Sequence, residues 1–164
     1  MDRDALVRDT YAHYGLAMYQ AQVLEHGVVN AMVYARLAER HRVTRDEIDA
    51  FMGLEFEKTL GALLRNLKTY VTVPDSLATS LPEALRLRNF LAHDYFRERA
   101  AAFMTEAGCL AMIEELQVWQ EQFRGASRAL TELMKPIGER FGITSEAIAG
   151  EAERMVAEAE ASSS

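Results

Sequence analysis

The stretch TEAGCLAMIEELQVWQEQFRGASRALTELMKP, residues 105–136, decides the fold. Met112, Leu116, Trp119, Phe123, Leu130 and Met134 recur at spacings of three, four and seven, which at roughly 100° per residue puts them on one face of a helix. Thr105 supplies a hydroxyl that can accept a backbone N–H at its start, and Pro136 is expected to kink or end it. A helix this long hides its apolar face only against other long helices, so the rest of the chain is read for them.

Working outward, residues 4–40 contain no proline, and Leu6, Tyr14, Met18, Ala21, Val28, Met32 and Ala35 share one face of a first long helix. Glu25 lies near the edge of that stripe, either turned to solvent or partnering a partly buried arginine elsewhere. A second helix opens at Thr44-x-x-Glu47, which has the form of a capping box, and is expected to reach about Tyr70. Val71, Thr72, Val73 and Pro74 then read as an extended connector. Ser80-x-x-Glu83, with Pro82 in the first turn, is expected to open a third helix. Gly142 and Thr144 set off a short final helix from about Ser145 to Ala159. The expectation is an all-α fold, an up-and-down bundle of four main helices plus a short C-terminal helix. It forms one domain over residues 1–157, with a disordered tail over 158–164.

Composition agrees. Three Pro and nine Gly in 164 residues are too few turn-formers for a many-stranded β fold. Cys109 stands alone, and no Cys/His cluster has zinc spacing, so no metal is expected, and no cofactor motif is present. The charged start Met1-Asp2-Arg3-Asp4 and the lack of a long apolar run suggest a cytoplasmic protein without a membrane segment. With 18 Lys+Arg against 25 Asp+Glu, the net charge of −7 argues against indiscriminate coating of nucleic acid. Any nucleic-acid site must be local.

The third helix breaks its own pattern. With Leu81 set at zero on a helical wheel, Leu81, Ala84, Leu85, Leu91, Ala92, Tyr95 and Phe96 fall within about 80° of that direction. Arg88, at roughly 340°, falls in the middle of this stripe, where a guanidinium needs an anion. Asn89 and His93, four apart, share a face beside it. Arg88 and His93 are five apart, roughly 140° around a straight helix, so converging on one atom requires a loosened helix or a second copy of the chain. Leu87 and Phe90 point away from the stripe, which leaves them for a dimer groove or for the final helix. Arg86, Arg97 and Arg99 add local positive charge, as do Arg36, Arg40, His41, Arg42 and Arg45 where the first helix meets the second. Acidic neighbours make both regions mixed surfaces.

The segment Arg88-Asn89-Phe90-Leu91-Ala92-His93-Asp94-Tyr95 resembles the signature of HEPN-domain proteins, an arginine followed by a polar residue, then a histidine and, in one branch, a tyrosine two residues later. That branch comprises toxins paired with minimal nucleotidyltransferase antitoxins. The resemblance implies a metal-independent endoribonuclease acting as a homodimer, with Arg88 and His93 catalytic in a cleft between two signature helices. It implies RNA as substrate, cut by 2′-OH attack to give a 2′,3′-cyclic phosphate and a 5′-OH. Asn89 and Tyr95 would support the site, Arg86, Arg97 and Arg99 would bind RNA, and Tyr95 would be the residue an antitoxin modifies. Two other readings stay open: a non-catalytic HEPN-like module that binds nucleotide, RNA or a nucleotidyltransferase, and a purely structural helical dimer.

Overall fold

Between Thr10 and Ala35 the only Asp, Glu, Lys or Arg is Glu25, so this stretch can set one broad face against the core of a bundle without stranding charge. It does so in the computed structural model, which describes residues 2–39, 44–56 and 60–162. The helices are α1 (Arg3–Glu39), α2 (Arg45–Phe56), α3 (Leu60–Tyr70), α4 (Asp75–His93), α5 (Tyr95–Glu98), α6 (Ala100–Phe103), α7 (Glu106–Arg140) and α8 (Ser145–Ser162). The fold is an all-α helical bundle, with no strand among the described residues.

Helices α1 and α7 form its spine and run parallel. Gln120 on α7 donates to the His13 carbonyl on α1 at 2.9 Å, Gly27 meets Leu130, and Tyr34 meets Gly138. Helix α4 runs antiparallel to both, with Leu91 beside Tyr14, Arg88 beside Glu25, and Phe90 against Trp119. Gly61 on α3 lies against Leu85, so α3 and α4 form an antiparallel pair. The expected second helix, from Thr44 to about Tyr70, covers α2 and α3, and residues 57–59 between them lie outside the described residues.

Local chemistry fixes several ends as expected. Thr44 and Glu47 form the capping box, with Thr44 N–H donating to Glu47 Oε2 at 2.9 Å and Glu47 N–H donating to Thr44 Oγ1 at 3.3 Å. Thr105 accepts the Gly108 N–H at 3.0 Å, and Thr144 accepts the Ala147 N–H at 3.2 Å. Replacing Thr105 with alanine is expected to cost about 1 kcal/mol. Urea denaturation of the two proteins measures it.

Other ends differ. Helix α4 starts at Asp75 rather than near Ser80, so Ser80 and Glu83 form no capping box: Ser80 Oγ donates to the Leu77 carbonyl inside the helix, and Glu83 pairs with Arg86. Leu77 is buried, which favours extending the helix back, and the exposed Pro82 is tolerated within it. Helix α7 also continues through Pro136 to Arg140. Helix α8 extends to Ser162, through the first part of the stretch expected to be a tail.

The wheel for α4 needs one correction. Buried Leu77, Leu81, Ala84, Leu87 and Leu91 span roughly 240° to 360°, so the buried arc is rotated by about 60° from the expected stripe. The reason is that α4 packs against α1, α3 and α7 together. Leu87 is inside the core, and Phe90 packs edge-on against Trp119 of α7. Leu87 is therefore closed to a dimer groove and to α8.

Candidate functional site

The signature segment lies at the end of α4. The helix stops at His93 because Asp94 leaves helical geometry, with φ −127° and ψ −19°. Its last turn leaves carbonyls without helical donors. Phe90 O accepts the Asp94 N–H at 2.9 Å, and Leu91 O accepts the Tyr14 hydroxyl at 3.0 Å. Helix α1 thereby holds the break in place.

Arg88 meets the anion its position requires. Its Nη2 is 3.1 Å from Glu25 Oε1, with both side chains partly shielded from solvent. Its Nη1 also donates to Asn89 Oδ1 at 3.3 Å. Asn89 and His93 are exposed and lie on the side of α4 facing away from the core. Among the described residues, no hydrogen bond or ion pair joins Arg88 to His93. The break at Asp94 comes after His93 and does not rotate it toward Arg88. A single copy thus brings Arg88 and Asn89 together and leaves His93 on a separate face.

Each neighbouring arginine also has a carboxylate partner. Arg86 binds Glu83 through two nitrogens, at 2.7 and 3.0 Å, and Arg97 lies 2.7 Å from Asp94 and 3.3 Å from Glu98. These three pairs are largely exposed, the class that adds little stability and yields easily to a competing anion. Arg99 differs. It grips Glu115 of α7 through two nitrogens, at 2.6 and 3.0 Å, and its guanidinium lies over the rings of Phe90 and Tyr95. Arg99 ties α7 to the α4–α5 junction. In the second basic cluster, Arg36 lies over the Phe51 ring at 4.6 Å. Arg40, His41 and Arg42 lie outside the described residues, as does the Arg45 side chain.

Tyr95 is in the core, 1% exposed, and its hydroxyl donates to the Met112 carbonyl at 3.4 Å. Burial pushes its phenol well above the ordinary tyrosine range, and the nearby Glu115 carboxylate adds to the shift. A modifying enzyme reaches this hydroxyl only if the α4–α5 junction opens. The ring is at the centre of a cluster with Tyr14, Phe90, Phe96 and Trp119, extended by Tyr11 and Phe103. Glu115, Trp119 and Tyr14 were not singled out from the sequence as partners of the segment. The signals for them were an acid on the edge of α7 and aromatics at ordinary core spacing, which name no partner.

No protein-family model, no curated protein and no solved structure in the comparisons matches the chain. Among the described residues, no helix is long and apolar enough to cross a membrane.

Proposed function

We propose that Arg88, Asn89 and His93 form half of a metal-independent RNA-cleaving site of the HEPN kind, completed by the same segment of a second copy. The observation that carries this reading is the Arg88–Asn89 hydrogen bond, which links the guanidinium to the exposed face that also bears His93. Because Arg88 and His93 diverge on one helix, the reading assigns the phosphate-binding arginine and the proton-transferring histidine at each scissile bond to different copies.

Histidine exchanges protons near neutral pH. His93 takes the proton from the ribose 2′-OH, whose oxygen attacks phosphorus. The 5′-oxygen leaves and takes a proton from water, giving a 2′,3′-cyclic phosphate and a 5′-OH, and His93 returns its own proton to solvent. Arg88 stabilises the added negative charge on the phosphoryl oxygens. Incoming phosphate must first displace Glu25 from Arg88, so Glu25 acts as a gate on the site. Arg86 and Arg97, held only by exposed pairs, extend the RNA path. Growth inhibition and neutralisation by a nucleotidyltransferase partner follow from the resemblance.

The competing reading is a non-catalytic helical module. It is favoured by the carboxylate partner of every arginine in the segment and by Phe90 and Tyr95, whose places in the aromatic cluster explain part of the signature by packing alone. Incubating single-stranded RNA with the purified chain in EDTA separates the two. Cleavage to cyclic-phosphate ends that is lost in both Arg88→Ala and His93→Ala is the expected result. Intact RNA with the unaltered chain, from about pH 6 to about pH 8, overturns the ribonuclease reading.

A further inference from the structure

Helices α1 and α7 meet over small residues toward their C-terminal ends. Gly27 and Ala31, four apart on α1, bring almost no side chain to the contact, and Gly138 of α7 lets the Tyr34 ring approach. The chain then turns back over this spot. Gly142, at φ 75°, donates its N–H to Glu139 O at 3.1 Å, and Ile143 N–H donates to Gly138 O at 3.0 Å, a Schellman turn that sets Ile143 against Gly138. Thr144 caps α8 immediately afterward, and Ile148 in the first turn of α8 reaches the same place.

The result is a cavity of about 260 Å³ between α1, α7 and the start of α8. Its apolar part is made by the buried Ala31, Leu130 and Met134, with Ile143 and Ile148 from the α8 side. Drug-sized ligands occupy roughly 300–1,000 Å³, so an occupant here is smaller.

The polar part is uncommitted. Asn30, Tyr34 and Ser145 line the cavity, and among the described residues none of their side chains has a hydrogen-bond partner. Burial raises the Tyr34 phenol above its ordinary range, as expected of a group turned from open water. Lys135 lines the cavity too, with Glu132 one turn before it and Glu139 one turn after it on α7. Glu83 and Arg86, Glu121 and Arg124, and Glu151 and Arg154 all close ion pairs at a spacing of three. Among the described residues no ion pair joins Lys135 to Glu132 or Glu139. Glu146 lies near enough to feel Lys135, but its carboxylate is held first by its own backbone N–H and the Thr144 hydroxyl.

We propose that this cavity binds a free α-amino acid with an apolar side chain. The carboxylate meets Lys135, with Asn30 and Ser145 as hydrogen-bond donors, and the ammonium lies beside the flanking glutamates. The side chain enters among Ala31, Leu130 and Met134. Charge selects this class. A carboxylate without an ammonium would take Lys135 but lie against two glutamates, and an amine without a carboxylate would face Lys135. An α-amino acid carries both charges on one carbon, a short separation that side chains one helical turn apart can answer together. No residue of α8 is buried, so an occupant touching Ser145 and Ile148 also ties α8 to α1 and α7. The proposal stands apart from the ribonuclease reading, since none of its residues lies on α4.

Calorimetric titration of the full chain with L-leucine and L-phenylalanine tests it, with saturable binding of at least one below about 5 mM expected. Analogues lacking one charge should bind at least about tenfold more weakly than the amino acid they copy. For leucine these are 4-methylpentanoate and isopentylamine, and for phenylalanine 3-phenylpropanoate and phenethylamine. Lys135→Met and the double variant Glu132→Gln/Glu139→Gln, all at exposed positions, should each weaken the amino acid by at least about tenfold with helicity unchanged. Charge adds a readout that a change of shape would not give. Lys135→Met should bind the amine analogue more tightly than the unaltered chain does, and the double variant should do the same for the carboxylate analogue. No saturable binding of either amino acid up to about 5 mM overturns the proposal. So does an analogue that binds as tightly as its amino acid, or amino-acid binding that survives Lys135→Met, since the ligand would then be held elsewhere.

Discussion

Truncating Tyr95 to alanine is expected to destabilise the fold by about 4 kcal/mol, the cost of removing a fully buried aromatic side chain. Its ring stacks on Tyr14 at 5.7 Å and meets Phe90, Phe96 and Trp119 edge-on at 5.9, 5.4 and 5.6 Å, so its loss leaves a cavity shared by α1, α4, α5 and α7. The Arg99 guanidinium over the ring loses one of its two aromatic neighbours as well. Urea denaturation followed by Trp119 fluorescence reads this locally. A drop in thermal midpoint of about 10 °C should accompany it. Tyr95→Phe keeps the ring and gives up only the 3.4 Å bond to Met112, so its cost near neutral pH should stay within about 1 kcal/mol.

The hydroxyl adds a dependence on pH that the phenylalanine variant isolates. Burial raises the folded-state pKa above the ordinary 10.0. Above that pH the unfolded chain releases the phenolic proton while the folded chain keeps it. The unfolded state then binds fewer protons, so stability falls as pH rises past 10. The wild-type chain should lose more stability than Tyr95→Phe between pH 9 and pH 11, whereas equal losses would place the hydroxyl in contact with water.

Periodicity exposed the long elements of this fold because a helix that buries one face over ten turns leaves a repeating record. That holds for Leu6 to Ala35 in α1 and Met112 to Met134 in α7. Caps written as Thr44, Thr105 and Thr144 were equally legible, since the bond each makes is local. What escaped was set by neighbours distant in sequence. Helix α4 buries Leu87 as well as Leu91 because three helices surround it, a breadth that no single stripe announces. Its end at His93 depends on the Tyr14 hydroxyl, 77 positions away from Leu91 in sequence.

The candidate site shows the same divide. A buried-side arginine in α4 and an edge carboxylate in α1 were each visible as breaks in pattern, and Arg88 and Glu25 meet at 3.1 Å. Their union has two consequences with opposite signs for function. It meets the need of a guanidinium set toward the core, and it occupies the group that a phosphate would bind. The Arg88-bound carboxylate of Glu25 and the exposed His93 are therefore the levers of the proposed chemistry: one must move aside and the other is already open to solvent.

Replacing Gly108 with alanine should destabilise the chain by about 3 kcal/mol, against the sign that helix propensity alone gives. In a helix interior alanine is ordinarily better than glycine by about 1 kcal/mol, so propensity alone predicts a gain. Gly108 lies in the first turn of α7, where the chain has just reversed out of α6. The Ala102 carbonyl accepts both the Thr105 N–H at 3.0 Å and the Thr105 hydroxyl at 3.2 Å, and Gly108 returns its own N–H to that hydroxyl. These bonds draw the two helices together until a Cβ on Gly108 would overlap the Ala102 carbonyl. The obstacle is backbone and has no rotamer to change. Relief requires α6 to shift, which breaks the Thr105 bonds and disturbs Phe103 where it packs on Phe96. Gly108→Ala should therefore cost more than Thr105→Ala, and adding Thr105→Ala to Gly108→Ala should cost less than the sum, because the first change has already weakened the cap. Thermal melts of the four proteins decide it. A midpoint for Gly108→Ala at or above that of the unaltered chain would show that the α6–α7 turn is looser than this packing requires.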